Sequence, residues 1–127
     1  MKKSPELLVV LTVNGSDKKR IEAFELYQKA FNAKNMSGDF IPDESGDVHI
    51  IMEINGYQFG IFPGHDNNSH GNVTCQFEYD NAEDLRKAYD ILSNEAQKHS
   101  IGTDFWCELF ATVTDKFGIF WSFCVPN

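Results

Sequence analysis

His49 and Glu53 are the titratable pair whose setting most suggests chemistry. Both fall on one face of an alternating segment, in which His49, Ile51 and Glu53 oppose Val48, Ile50, Met52 and Ile54. A half-buried His and Glu can be tuned toward neutral pH and serve as acid and base. Four residues along a strand put them about 13 Å apart, so a substrate would have to bridge them. The plainer role for His49 is a hydrogen-bonded structural group, and a pairing with Glu108 has no spacing argument behind it. His65, Asp66 and His70 have metal-ligand side chains, yet their Gly- and Asn-rich surroundings suit a solvated linker better. Cys75, Cys107 and Cys124 are odd in number, far apart and set in apolar runs. They predict neither a disulfide framework nor a paired-cysteine zinc site, and read as buried reduced thiols of a cytoplasmic protein.

The elements that must position these residues are legible from periodicity. Residues 7–13 form an apolar run closed by Asn14-Gly15, which predicts a strand rather than a signal segment. Ser16 or Asp17 can cap a helix to about Lys34, with Ile21, Phe24, Tyr27 and Phe31 at helical spacing. The acidic stretch Asp43 to Asp47 reads as a surface loop. Val48–Ile54 and Tyr57–Phe62 flank Asn55-Gly56, the dipeptide preferred in two-residue hairpins. After a polar loop at 65–71 the order repeats. Val73–Tyr79 predicts a strand, and Asp80 or Asn81 caps a helix to about His99 along a Leu85, Tyr89, Leu92, Ala96 seam. Phe105–Val113 and Ile119–Val125 are strands around an Asp115-Lys116-Phe117-Gly118 turn.

Two stretches carry a resemblance. Ala23-Phe24-Glu25-Leu26-Tyr27-Gln28-Lys29-Ala30-Phe31 is similar to an "A-x-x-F-Y-x-x-x-F" helix. Trp106 to Ser122, with Asp115-Lys116-Phe117-Gly118-Ile119-Phe120-Trp121-Ser122, closely resembles an "F-W-G-x-x-x-x-x-V-x-D-P-F-G-x-x-W-S" ending. Together with the hairpin from His49 to Gly56, they resemble the PhnB-like branch of the glyoxalase/bleomycin-resistance/dioxygenase (vicinal oxygen chelate) superfamily. Lys116 stands where that ending has Pro, which should loosen the turn. The resemblance implies an α+β fold: two βαβββ modules, 1–64 and 72–127, in a single domain whose curved mixed sheets enclose a cavity. It also implies a homodimer. Metal-using members place one ligand on each of four strands, and those positions here hold Leu8, Gly60, Thr74 and Ser122. None is a His, Glu or Gln, so no family metal and no cofactor are expected.

With those positions facing the cavity, alternation brings others with them. They are Thr12 on the first strand and Gln58 and Phe62 on the fourth. His49 and Glu53 come from the strand between, and Thr74 and Gln76 from the second module's first strand. Glu108, Phe110, Phe120 and Ser122 come from its hairpin, with Trp106 at the rim. Opposite them, Val9, Leu11, Val13, Tyr57, Phe59, Ile61, Cys75, Phe77, Tyr79, Trp121, Phe123 and Val125 are all apolar or aromatic apart from one thiol. A face packed under helices requires that.

At 127 residues, 42% of them apolar, the chain suits one folded domain, and its net charge of −8 argues against nucleic acid and anionic membranes. No glycine-rich nucleotide loop follows a strand, which argues against a methyltransferase. The expectation is a cytoplasmic protein that binds a small aromatic or amphipathic molecule without metal. The alternatives are a metal-dependent or His/Glu-assisted lyase or dioxygenase, and a dimeric scaffold with no ligand.

Overall fold

The computed structural model describes residues 7–64, 73–105 and 107–127. The chain divides into two compact units, Met1–His65 and Asp66–Asn127. The loop expected at 65–71 and the side chain of Trp106 lie outside the described residues.

In the first unit, β1 (Val9–Thr12) leads to α1 (Asp17–Phe31), β2 (Lys34–Asn35), β3 (Ile50–Ile54) and β4 (Tyr57–Phe62). The sheet order is β1-β4-β3-β2, with β1 parallel to β4 and the other pairs antiparallel. Ser16 caps α1 by accepting from Lys19 N, and Asn32 ends it at a left-handed φ of 57°. The expected helix to Lys34 is therefore too long, because Lys34 and Asn35 instead pair with Glu53 and Met52. Asn55 and Gly56 both take positive φ, as the hairpin required. Phe24, Tyr27, Ile50, Met52, Phe59 and Ile61 form the core under α1. Tyr57, expected on that packed face, is instead 66% exposed at the hairpin end of its strand.

Arg20 was not anticipated as a core residue, yet its side chain is wholly buried. Its Nε donates to Val48 O (2.9 Å), its Nη1 to Val13 O (3.1 Å) and Gly15 O (3.2 Å), and its Nη2 to Asp17 Oδ1 (2.7 Å). A guanidinium offers five donors in a fixed fork, so one side chain gathers the chain ends beside β1, α1 and β3.

In the second unit, β5 (Cys75–Glu78) leads to α2 (Ala82–Ser93), β6 (Lys98–Asp104), β7 (Cys107–Thr114) and β8 (Phe120–Pro126), in sheet order β5-β8-β7-β6. The helix expected to reach His99 ends at Ser93. Asn94 turns extended, Glu95 takes a φ of 61°, and Gln97 N opens the ladder to β7 by donating to Thr114 O at 2.9 Å. An edge strand with only Ile101 apolar carries no period-2 signal, so pairing with β7 decided its conformation. His99, expected just beyond the helix, lies opposite Val113 with its Nδ1 2.8 Å from the Tyr89 hydroxyl. Leu85, Leu92, Leu109, Val113, Trp121 and Phe123 are buried beneath α2.

The turn between β7 and β8 is organised by buried Asp115. Its Oδ1 accepts from Phe117 N (2.9 Å) and Ile119 N (3.1 Å), and its Oδ2 accepts from Trp121 Nε1 (2.9 Å). Those bonds hold the turn that Lys116 was expected to loosen. Among the described residues, no helix is long and apolar enough to cross a membrane.

Candidate functional site

Each sheet has one face under its helix and one turned away, and the residues in question lie on the second. In the first unit the register arranges them in rows. Thr12 is opposite Phe62 across the β1–β4 pair, and Val10 and Ile51 flank Gly60. Lys34, Glu53 and Gln58 form a third row. His49, one residue before β3, sets its ring at 66° to Phe62 with centroids 4.9 Å apart. The Phe62 ring folds back over Gly60: a Cβ built there would stand 2.9 Å from its Cε1 and Cζ. Glycine is therefore what lets the phenyl ring lie along the sheet.

His49 is joined to Asp43 rather than to Glu53. Its Nδ1 is 2.9 Å from Asp43 Oδ2 and 3.2 Å from Asp47 O. Both partners can only accept, so Nδ1 carries the hydrogen and the neutral ring keeps its lone pair on Nε2. Hydrogen bonds from the Ser45 hydroxyl and backbone, and then His49, hold the Asp43 carboxyl below the usual aspartate range. Sequence reasoning took Asp43 for a plain surface acid, because a contact set by the fold of a loop leaves no periodic trace.

In the second unit, Gln76 lies opposite Ser122 and Glu78 opposite Cys124, while Thr112 and Phe110 continue those rows on β7. Ser122 is buried, and its Oγ donates to Gln76 Oε1 at 3.0 Å. Gln76 Nε2 lies 3.7 Å from Cys124 Sγ, which in turn lies 3.9 Å from Glu78 Oε2. Burial first, and the Glu78 carboxylate next, push the Cys124 thiol upward, so it stays protonated and donates. Phe120 leaves 45% of its surface exposed at the third row, opposite Thr114. Thr74 is exposed just before β5, and Glu108 is exposed beside a shift in the β7–β8 register. Alternation along β5 and β8 already puts Glu78 with Gln76 and Cys124 with Ser122, and the register brings the two pairs side by side.

The four positions that the resemblance assigns to metal ligands do not fit a divalent ion. Leu8 and Gly60 offer no donor atom, and the Phe62 ring covers Gly60. The Ser122 hydroxyl is engaged by Gln76, and Thr74 is left as one neutral hydroxyl. Among the described residues, no group of three or more His, Cys, Asp or Glu stands close enough to hold a metal.

No known family profile and no curated protein matches this sequence. Solved structures do match. A PhnB protein from Bacillus cereus is 18% identical with a TM-score of 0.76, over 96% of this chain and 100% of that one. Protein PA1353 from Pseudomonas aeruginosa is 17% identical with a TM-score of 0.74, over 97% and 98%. The fosfomycin resistance protein FosX from Listeria monocytogenes, complexed with Mn(II) and sulfate ion, is 12% identical with a TM-score of 0.66, over 99% and 93%. The chain thus has the α+β fold of paired βαβββ modules found in the glyoxalase/bleomycin-resistance superfamily. PhnB and FosX proteins are its particular structural neighbours.

Proposed function

We propose that this protein binds a small aromatic or amphipathic molecule on the open faces of its sheets, without the metal that FosX carries. The observation behind the proposal is the chemistry of those faces. Aromatic rings (Phe62 in the first unit, Phe110 and Phe120 in the second) stand beside hydrogen-bonded polar groups, and no His, Asp or Glu fills the ligand positions of the metal-using fold. Flat apolar area with a few ordered polar groups suits a planar ligand. The test is a fragment screen by amide chemical-shift mapping, run with and without EDTA. Binding that moves the Gln76 and Ser122 amides, or in the other unit the Thr12 and Phe62 amides, and survives the chelator supports the proposal. A ligand response that needs added Zn, Mn, Fe or Ni would overturn it.

A second reading is favoured by the Asp43–His49 pair, whose oriented imidazole suits proton transfer. It predicts a turnover that His49→Ala abolishes and Asp43→Asn shifts in pH profile. Glu53, about 13 Å away by strand geometry, would then contact substrate rather than His49. A cytoplasmic homodimer belongs to the same proposal, and sedimentation at two chains per particle is its expected outcome.

A further inference from the structure

Resting on the binding reading, we infer that the ligand of the second unit's open face carries an ammonium or similar cationic donor beside an aromatic group. The hydrogen bonds on that face have a direction. Ser122 donates to Gln76, Gln76 donates toward Cys124, and Cys124 donates toward Glu78. The hydrogens of the buried Ser122 hydroxyl and Cys124 thiol are spent within the chain of contacts, and the sequence ends on a carboxylate, which can only accept. A partner for Glu78 must therefore bring its own donors.

Charge points the same way. The charged side chains on β5, β7 and β8 turned from the helix are Glu78 and Glu108, and both are exposed. The cation sharing this face, Lys98, sits opposite Thr114, three strands and two rows from Glu78. An anion would meet two carboxylates there, whereas a cation meets a charge-assisted acceptor. Aromatic surface lies within reach. Glu78 and Phe110 flank Cys124 from opposite sides, two strand spacings or about 10 Å apart. Phe120 stands two residues before Ser122 on the central strand.

A matched set of probes tests this on the whole chain: 1-naphthylmethylamine, 1-naphthylmethanol and 1-naphthylacetate, titrated by amide chemical shift. Wild type is compared with Glu78→Gln and with Glu83→Gln, an equal charge change on the exposed first turn of α2. The amine should bind about tenfold more tightly than the carboxylate, as one charge-assisted contact allows. Glu78→Gln should cut that preference to about threefold or less, and Glu83→Gln should leave it unchanged. Equal binding of amine and carboxylate would overturn the inference while leaving the binding reading intact. A preference that survives Glu78→Gln would overturn it too, tracing the effect to the overall charge of −8. If none of the three probes moves amides of β5, β7 or β8, the binding reading itself falls.

Discussion

Replacing Arg20 with Met should be among the most damaging single changes in the first unit. Methionine keeps most of the buried bulk but strips Val48, Val13 and Gly15 of the donor their carbonyls use, and leaves the Asp17 carboxylate without its cation. Breaking one side of a buried charge pair costs about 3–5 kcal/mol. Asp17 is 35% exposed, so water repays part of its loss and the lower half of that range applies. With a urea slope of about 2 kcal/mol per M, a cost of about 3–4 kcal/mol moves the midpoint down by roughly 1.5–2 M. Because Val48 precedes His49 and Val13 follows Thr12, the His49 and Thr12 amide shifts should move as well. Lys18→Met provides the contrast: its 3.9 Å pair with Glu22 joins two exposed side chains and should be worth less than about 0.5 kcal/mol. An Arg20→Met midpoint within about 0.5 M of wild type would refute the reasoning.

At alkaline pH, burial first and then Asp84 push Tyr79 from 10.0 up to about 12. Between those values the unfolded chain ionises this phenol while the folded chain keeps it neutral, so its contribution to stability fades as pH rises through that window. Tyr79→Phe should remove a step near pH 12 from the phenolate absorbance of the folded protein; its persistence would reassign that step. At the acid end, the hydrogen bond from Val48 N first, and then Arg20, holds Asp17 low, and Asp43 is low through Ser45. Such groups stabilise the fold above the ordinary aspartate value and lose that effect as pH falls through their lower folded values. Denaturant midpoints should stay level from neutrality to about pH 4 and drop below it. Asp17→Asn should make that drop shallower, and an unchanged slope would contradict the assignment.

Much of the fold was legible because burial writes a period into the chain. The strands at 7–13, 57–62 and 119–125 were read from their apolar residues, and Leu11, Phe59, Ile61, Trp121 and Phe123, which strand alternation sets on the helix side, are buried. Caps were legible to within one residue: of Ser16 or Asp17 and of Asp80 or Asn81, Ser16 and Asn81 accept from a first-turn amide. The strand β6 was invisible. At a sheet edge with both sides largely wet, Lys98 to Asp104 has almost nothing apolar to arrange, so the helical pattern before it seemed to run on.

What the sequence determined by itself was the strand, helix and hairpin order of each half, most of the helix-covered faces and the absence of side-chain donor atoms at Leu8 and Gly60. Those properties depend on residue type and local period. Only the tertiary structure decided the partners: Asp43 for His49, Glu78 and Gln76 for Cys124, Arg20 for three carbonyls, Asp115 for Trp121. A hydrogen bond needs two groups within about 3 Å and in line. No one-dimensional spacing encodes that when the partners sit on different strands or in a loop, so the pairing had to wait for the chain to fold.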